Sequence, residues 1–330
     1  MACTPLENRE LTLAQNFVQH TGSHIFLTGK AGTGKTTFLK KLKARAAKRM
    51  IITAPTGVAA INAGGVTLHS FFQLPFGPFI PGSEACKSNR QRMFRFSNEK
   101  KRIIKRLDLL VIDEISMVRA DLLDAVDAVL RWQRRNDAPF GGVQLLMIGD
   151  LHQLPPVAKQ NEWQLLQQHY ASVYFFSSRA LGRTEVTTIE LTHIYRQSDA
   201  RFIRLLNRVR DNRLDAAAIE QLNQRYFENF TPEKEQGYIT LTTHNRNADS
   251  INNARLAALA GKAYGFEAKI SGDFPSHMYP APATLVVKQG AQVMFLRNDA
   301  SAEKRYYNGK IGKIKTISSG QIRIICPGEP

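Results

Sequence analysis

The sequence predicts an α/β fold built on a parallel β-sheet. Two observations carry that expectation. Short runs that are apolar on both faces recur at His24–Thr28, Met50–Ala54, Leu109–Asp113 and Leu145–Asp150, with Val173–Phe176 a candidate fifth. Such runs suit strands buried inside a parallel sheet. Helical stretches, Thr36–Arg49 and Asp121–Arg134 among them, lie between the runs and supply the crossovers.

The alternation breaks between Leu74 and Lys105. Leu74–Gly82 is punctuated by Pro and Gly and reads as irregular. From Lys87 to Arg106 there are nine basic residues against one acid, Glu99, with Phe94 and Phe96 interleaved; this reads as an insertion on the sheet domain. A second unit begins near Thr187. It carries a basic helix at Ala200–Val209, a strand at Tyr238–Thr243 and a helix at about Ala248–Ala260. Short strands at Gln292–Leu296, Ile311–Ile317 and Gln321–Ile325 follow.

The chain has 330 residues, 43% of them hydrophobic, so packed cores are expected and global disorder is excluded. No run of 18 apolar residues exists and Met1–Pro5 does not open a secretory signal. Cys3, Cys86 and Cys326 are far apart, which argues against a disulfide scaffold or a Cys-based zinc site. The expectation is a soluble, cytoplasmic protein. Lys plus Arg is 45 and Asp plus Glu is 28, a formal charge of +17 that favours a polyanionic partner, most simply nucleic acid.

Gly29-Lys30-Ala31-Gly32-Thr33-Gly34-Lys35-Thr36 fits the phosphate-loop pattern G-x-x-x-x-G-K-[ST], with a strand before it and a helix after. Chance would supply roughly 0.01 such matches in a chain this long. Gly32 and Gly34 let backbone N–H groups turn toward phosphates, and the helix start adds unpaired N–H groups and a positive dipole end. Lys35 supplies a cation for the β- and γ-phosphates and Thr36 a hydroxyl for Mg²⁺. Gly29, Ala31, Thr33 and Thr37 complete the expected cofactor-binding set for ATP with Mg²⁺.

Asp113 and Glu114 stand at the C-terminal end of an apolar strand, where open α/β sheets bind ligands. Asp113 is expected to hold Mg²⁺, and Glu114 to deprotonate the attacking water. Read without the loop, the pair could also cap the next helix. Gln153, in Gly149-Asp150-Leu151-His152-Gln153-Leu154-Pro155-Pro156, follows the next strand and could sense the γ-phosphate or be a solvated loop residue. His152 reads as a positioned loop residue.

These motifs resemble those of Pif-type DNA helicases of superfamily 1, relatives of the RecD helicase. The resemblance rests on residues 29–36, Ala54–Phe72, Ile112–Val118, Gly149–Val157 and Tyr195–Asp199, in the family's order over most of the first 210 residues. It implies a P-loop NTPase with a RecA-like domain at 1–186, carrying a basic wedge-like insertion at about 74–106. It further implies an incomplete second RecA-like domain at 187–284 and the start of an SH3-like β insertion at 285–330. The implied activity is ATP-dependent 5′-to-3′ translocation on single-stranded DNA. Gln15 matches the adenine-reading glutamine, whose amide offers a donor and an acceptor. Arg196 matches the arginine sent to the γ-phosphate by the second domain.

The implied DNA contacts are Pro55, Thr56, Gly57, His69, Ser70 and Phe72, then Arg90, Arg92 and Arg95 in the basic stretch, and His244 and Asn245 in the second unit. Lys100 is a further phosphate candidate. Phe71 and Phe72 could stack on bases, although adjacent phenylalanines usually include a core residue. The basic stretch could also be a solvated surface.

The partners expected are single-stranded DNA and a duplex fork, with replication or repair proteins, no membrane, and a monomeric state. Two later family motifs, His-Lys-Ser-Gln-Gly and Val-Ala-Leu-Ser-Arg, are absent from these residues. The expectation is therefore a truncated form of a longer helicase, weakly active alone. A nucleotide-dependent DNA-binding module and a RecD-like subunit of a nuclease complex remain open as alternatives.

Overall fold

A computed structural model describes residues 8–45, 47–74, 77–80, 95–195, 197, 199–228, 230, 238–270, 281–296, 299, 301, 303, 305–306, 309–318 and 320–326. The chain divides into two compact units, Met1–Ile219 and Glu220–Pro330.

The first unit is a doubly covered parallel sheet. Its strands are β1 (His24–Gly29), β2 (Met50–Ala54), β3 (Val66–Thr67), β4 (Leu109–Ile112), β5 (Gln144–Gly149) and β6 (Val186–Leu191). They lie in the order β3-β2-β4-β5-β1-β6, and every pairing is parallel. The helices are α1 (Arg9–His20), α2 (Lys35–Arg45), α3 (Gly57–Asn62), α4 (Leu68–Phe72), α5 (Asn98–Arg106), α6 (Ala120–Arg134), α7 (Gln160–Leu166) and α8 (Ala200–Arg210); α9 (Ala216–Asn223) follows.

The central strands β4 and β5 are buried along their whole length. Their side chains alternate between two cores, as the pleat requires. Leu109, Val111, Leu146 and Ile148 face Ala14 and Val18 of α1 and Phe38, Leu39 and Leu42 of α2. Leu110, Ile112, Leu145 and Met147 face Phe72 of α4, Ile104 of α5 and Val126 and Val129 of α6. A strand that must be apolar on both sides reads as a continuous apolar run, and so these strands were legible in sequence.

Two expected strands are absent. Val173–Phe176 gives one bridge, Tyr174 to Arg119, and then a short 3-10 turn at Phe175–Ser177; Phe175 is a core side chain tilted against Phe26. Its apolar content serves packing rather than strand pairing. Tyr238–Thr243 is exposed and lacks strand structure. A parallel strand needs a neighbour for its N–H and C=O groups, and none pairs with it among the described residues. The sheet also extends past the boundary expected at residue 186, because β6 runs to Leu191 beside β1.

The described part of the basic stretch is continuous with the core. Ser97 caps α5 by accepting from Lys100 N–H. Phe96 and Ile104 are buried, while the basic side chains occupy the outer face. At the other end, the Arg134 guanidinium donates to the carbonyls of Ile104, Lys105, Leu107 and Gly141. One side chain thus satisfies the open carbonyls of α5 and ties them to α6. Residues 81–94, with Arg90, Arg92 and Phe94, lie outside the described residues.

The second unit contains α10 (Asn245–Ala257), an antiparallel pair β7 (Tyr264–Glu267) and β8 (Thr284–Val287), and an antiparallel sheet in the order β11-β10-β9. The last three are β9 (Gln292–Met294), β10 (Ile311–Ser318) and β11 (Gln321–Ile325). Val287, Ala291 and Ile314 form its core with Leu256 and Leu259. Lys288 Nζ donates to Ala257 O and Leu259 O and so closes the C-terminal end of α10. Among the described residues, no helix is long and apolar enough to cross a membrane.

A close approach in the first unit makes one glycine obligatory. A Cβ on Gly65 would lie 2.2 Å from Ile52 O, inside strand β2. Gly65→Ala is expected to push β3 off β2 and to cost about 2 kcal/mol or more, measured by urea unfolding. Gly22→Ala, which would meet nothing within 4 Å, is the control.

Candidate nucleotide and nucleic-acid site

Parallel pairing brings every strand's C-terminal end to one edge of the sheet. Thr28 lies beside Gly149, and Ile112 lies beside both Thr53 and Met147. The residues that follow, Gly29, Ala54, Asp113 and Asp150, therefore gather at that edge, where three separate sequence motifs meet.

The phosphate loop leaves β1 at Gly29 and enters α2 at Lys35. Gly29, Gly32 and Gly34 have φ of 151°, 82° and 90°, which side chains with a Cβ rarely adopt. A Cβ on Gly29 would also sit 2.7 Å from Leu191 O. Thr33 is fully buried, and its hydroxyl donates to Lys30 O at 2.9 Å. Ala31, Thr36 and Thr37 are exposed. Lys35 Nζ donates to Gly29 O (2.6 Å) and Lys30 O (3.0 Å), so the ammonium lies back across its own loop. Burial lowers the Lys35 pKa; the carboxylates of Asp150, Glu114 and Asp113 oppose that, and Arg210 adds to it. Gln15 is half-buried on α1.

Asp113 N–H donates to Thr53 O at 2.8 Å, which fixes the exit from β4. Its carboxylate Oδ1 accepts from Glu114 N–H at 3.0 Å. Glu114 has φ 52° and ψ 43°, a left-handed backbone that costs a non-glycine residue about 1–2 kcal/mol. Burial, and then the neighbouring Glu114 charge, push the Asp113 pKa up to about 6. Two crowded, partly buried carboxylates form a site that a hard cation would relieve. The Asp113 oxygens and the Thr36 hydroxyl are of the donor type that would suit Mg²⁺.

Gln153 sits in the loop after β5. Its Nε2 donates to Asp150 Oδ2 at 2.9 Å, while His152 N–H donates to Asp150 Oδ1 at 3.1 Å. Arg196 lies outside the described residues. Its neighbour Tyr195 does not: Tyr195 N–H donates to Gly32 O at 2.8 Å, and its ring lies where a Cβ on Gly34 would be 3.5 Å away. Asn8 Nδ2 donates to the Tyr195 hydroxyl at 3.0 Å.

Tyr195, Asp150 and Arg210 are the residues at this edge to which sequence reading assigned no role. Asp150 carried a signal that could have found it, since it follows β5 as Asp113 follows β4. Arg210 is one cation in a basic helix and carried none.

A surface groove of about 410 Å³ is lined by Pro55, Thr67, His69, Ser70 and Leu74. The structure thus brings together three of the expected DNA contacts. Thr56 caps α3 by accepting from Ala59 N–H, which leaves its hydroxyl proton free to donate, and Gly57 is the first residue of that helix. Thr67 caps α4 in the same way, accepting from Ser70 N–H. His69 is half-buried; burial lowers its pKa, Arg119 adds to that and Asp121 opposes it.

Base stacking by Phe72 is overturned. Its side chain is fully buried, edge-on to Phe71 at 4.8 Å between ring centroids, and faces the sheet. Phe71 is 8% exposed. Lys100 donates to Ser70 O and stands 5.2 Å from the ring centroids of both Phe71 and Phe96. Arg95 is exposed. His244 and Asn245 belong to the second unit, where His244 occupies the N-cap position of α10 without a side-chain capping hydrogen bond and Asn245 is the first residue of the helix.

The fold and loop define a RecA-like P-loop nucleotide-binding domain. Residues 10–219 match the family model described as PIF1-like helicase, and the chain belongs to that family. The human ATP-dependent DNA helicase PIF1 is 35% identical over 327 residues, covering 92% of this chain and 46% of the relative. The Emericella nidulans protein of the same name is 34% identical over 318 residues, covering 90% of this chain and 40% of the relative. This chain therefore spans less than half the length of these relatives. Among solved structures, Pif1 helicase from Bacteroides in complex with ADP-AlF3 and single-stranded DNA superposes with a TM-score of 0.86 at 38% identity, over 98% of this chain and 73% of that one. A structure described as DNA unwinding at forked duplex DNA by two coordinating Pif1 helicases has a TM-score of 0.84 at 38% identity, over 99% and 74%.

The Asp113 shift gives a stability test on metal-free protein. An unfolded aspartate titrates near 3.9, so the folded state holds this proton more tightly, and stability falls as pH rises from about 4 to about 6. Asp113→Asn removes that loss. At pH 7.5 in EDTA it is expected to raise the unfolding free energy by about 1–3 kcal/mol and to flatten this part of the pH dependence, read by urea titration.

Proposed function

We propose that this chain carries the motor of an ATP-dependent DNA helicase of the Pif type. In this reading ATP hydrolysis drives 5′-to-3′ movement on single-stranded DNA up to a duplex fork. The observation that carries the proposal is the meeting of Lys35, Asp113, Glu114 and Asp150 at one sheet edge beside the phosphate loop. Family membership and the ADP-AlF3 and single-stranded DNA named for the Bacteroides relative support it.

Each residue then has a physical role. Backbone N–H groups of Gly29–Thr36 and the start of α2 cradle the phosphates. Lys35 exchanges the carbonyls of Gly29 and Lys30 for phosphate oxygens. Thr36 and Asp113 would hold Mg²⁺, which would neutralise phosphate charge. The left-handed Glu114 presents a carboxylate to accept the proton of the attacking water. Gln153 orients that water, Arg196 meets the γ-phosphate and Gln15 reads adenine. Thr37 extends the first turn of α2.

On the DNA side, Pro55, Thr56, Gly57, His69 and Ser70 contact the backbone, and Arg90, Arg92 and Arg95 of the basic stretch add positive charge. His244 and Asn245 contact DNA from the second unit. We assign the residues after β6 to the opening of a second RecA-like domain, and the antiparallel strands from 285 to 330 to the start of an SH3-like insertion.

Two measurements test the reading. Lys35→Ala is expected to abolish DNA-stimulated ATP turnover, and Glu114→Gln to lower turnover about 10²-fold or more while nucleotide binding survives. Single-stranded DNA affinity should fall with salt, with a slope of about −0.7 per neutralised phosphate. DNA binding that is indifferent to both nucleotide and Lys35→Ala would instead indicate a passive binding module.

A further inference from the structure

Asp150 is 1% exposed, and its carboxylate collects three donors. Two come from its own loop, Gln153 Nε2 and His152 N–H. The third is Arg210, at the C-terminal end of α8, whose guanidinium donates to the same Oδ2 that receives Gln153. The Arg210 side chain is itself only 17% exposed. A carboxylate this buried requires a compensating charge, and Arg210 provides it from 60 residues away in sequence. Both members of the pair act electrostatically on Lys35, with opposite sign. The segment that ends in Arg210 also touches the phosphate loop at its beginning, through Tyr195 N–H and Gly32 O.

We propose that Arg210 is a positioning residue of the nucleotide site: its ion pair with Asp150 cancels a buried negative charge beside the Lys35 ammonium and fixes the carboxylate on which the Gln153 amide rests. This rests on the nucleotide-binding reading above. The physical consequence has a definite sign. ATP brings a polyanion to Lys35. With Arg210 in place, the Asp150–Arg210 pair is neutral toward it. Without Arg210, an uncompensated carboxylate repels the phosphates. Without Asp150, an uncompensated guanidinium attracts them. Loss of both restores neutrality. A purely structural salt bridge would behave differently, because losing either partner would then damage the site in the same direction.

The test is a fluorescent-ATP titration with Mg²⁺, together with steady-state kcat and KM. It uses the 330-residue chain and its variants Arg210→Gln, Arg210→Lys, Asp150→Asn and the double variant Asp150→Asn/Arg210→Gln. Arg210→Gln is expected to raise the nucleotide Kd about tenfold. Asp150→Asn should leave Kd unchanged or lower it while kcat falls, since the anchor of Gln153 is weakened. The double variant should return to within about threefold of the wild-type Kd. Arg210→Lys keeps the charge and should hold Kd within about twofold; it reads the same quantity if Arg210→Gln does not fold. Equal weakening by Arg210→Gln and Asp150→Asn, additive in the double variant, would overturn the proposal, as would a tenfold loss in Arg210→Lys. An unchanged Kd in Arg210→Gln, with a wild type that binds, overturns the proposal alone. A wild type that binds no nucleotide overturns the underlying reading as well.

Discussion

Parallel pairing of β1, β4 and β5 is the constraint on which the rest of the site depends. In a parallel sheet the strands end together, so their loops emerge on one side. The registers Thr28–Gly149 and Ile112–Met147 place Gly29, Asp113 and Asp150 at that edge, although the three are far apart in sequence. A one-residue slip in β4 or β5 would exchange the side chains that fill the two cores. Because β4 and β5 are buried on both faces by separate cores, the register is held by packing on each side.

Crowding at that edge has its own requirements. A Cβ on Gly149 would lie 2.9 Å from Ile115 Cγ2 and 3.1 Å from Ser116 N, so the end of β5 and the turn after Glu114 fit only because residue 149 is glycine. Glu114 accepts a left-handed backbone in the same turn. Bringing phosphate loop, carboxylates and Asp150 together buries like charges near one another, which shows in the raised Asp113 pKa and in the three donors gathered on Asp150. The fold crowds carboxylates at this edge, where a bound cation would balance their charge.

The aromatic and basic residues near the groove divide by the same packing logic. Phe72 and Ile104 lie in the core because α4 and α5 cover one face of the sheet, while the basic side chains of α5 occupy its outer side. Lys100 joins the two regions, with its ammonium over Phe71 and Phe96 and its hydrogen bond at Ser70 O. Positive charge is therefore fastened to the groove wall by an apolar base beneath it. The basic composition of the stretch reports charge density, and helix periodicity decides which side chains are available to a phosphate.

The sequence by itself determined the strands that are apolar on both faces, the glycines of the phosphate loop, the acidic pair at the end of β4 and the order of the motifs. Each is written in a local pattern whose cause is local: burial on both sides, a backbone with positive φ, a strand end. Tertiary structure alone decided that Phe71 and Phe72 are both core, that Val173–Phe176 turns rather than pairs, and that Arg210 reaches Asp150. Those outcomes depend on what lies across the sheet or at the end of a distant helix. A run of amino acids records its own periodicity and leaves the identity of its neighbours to the fold.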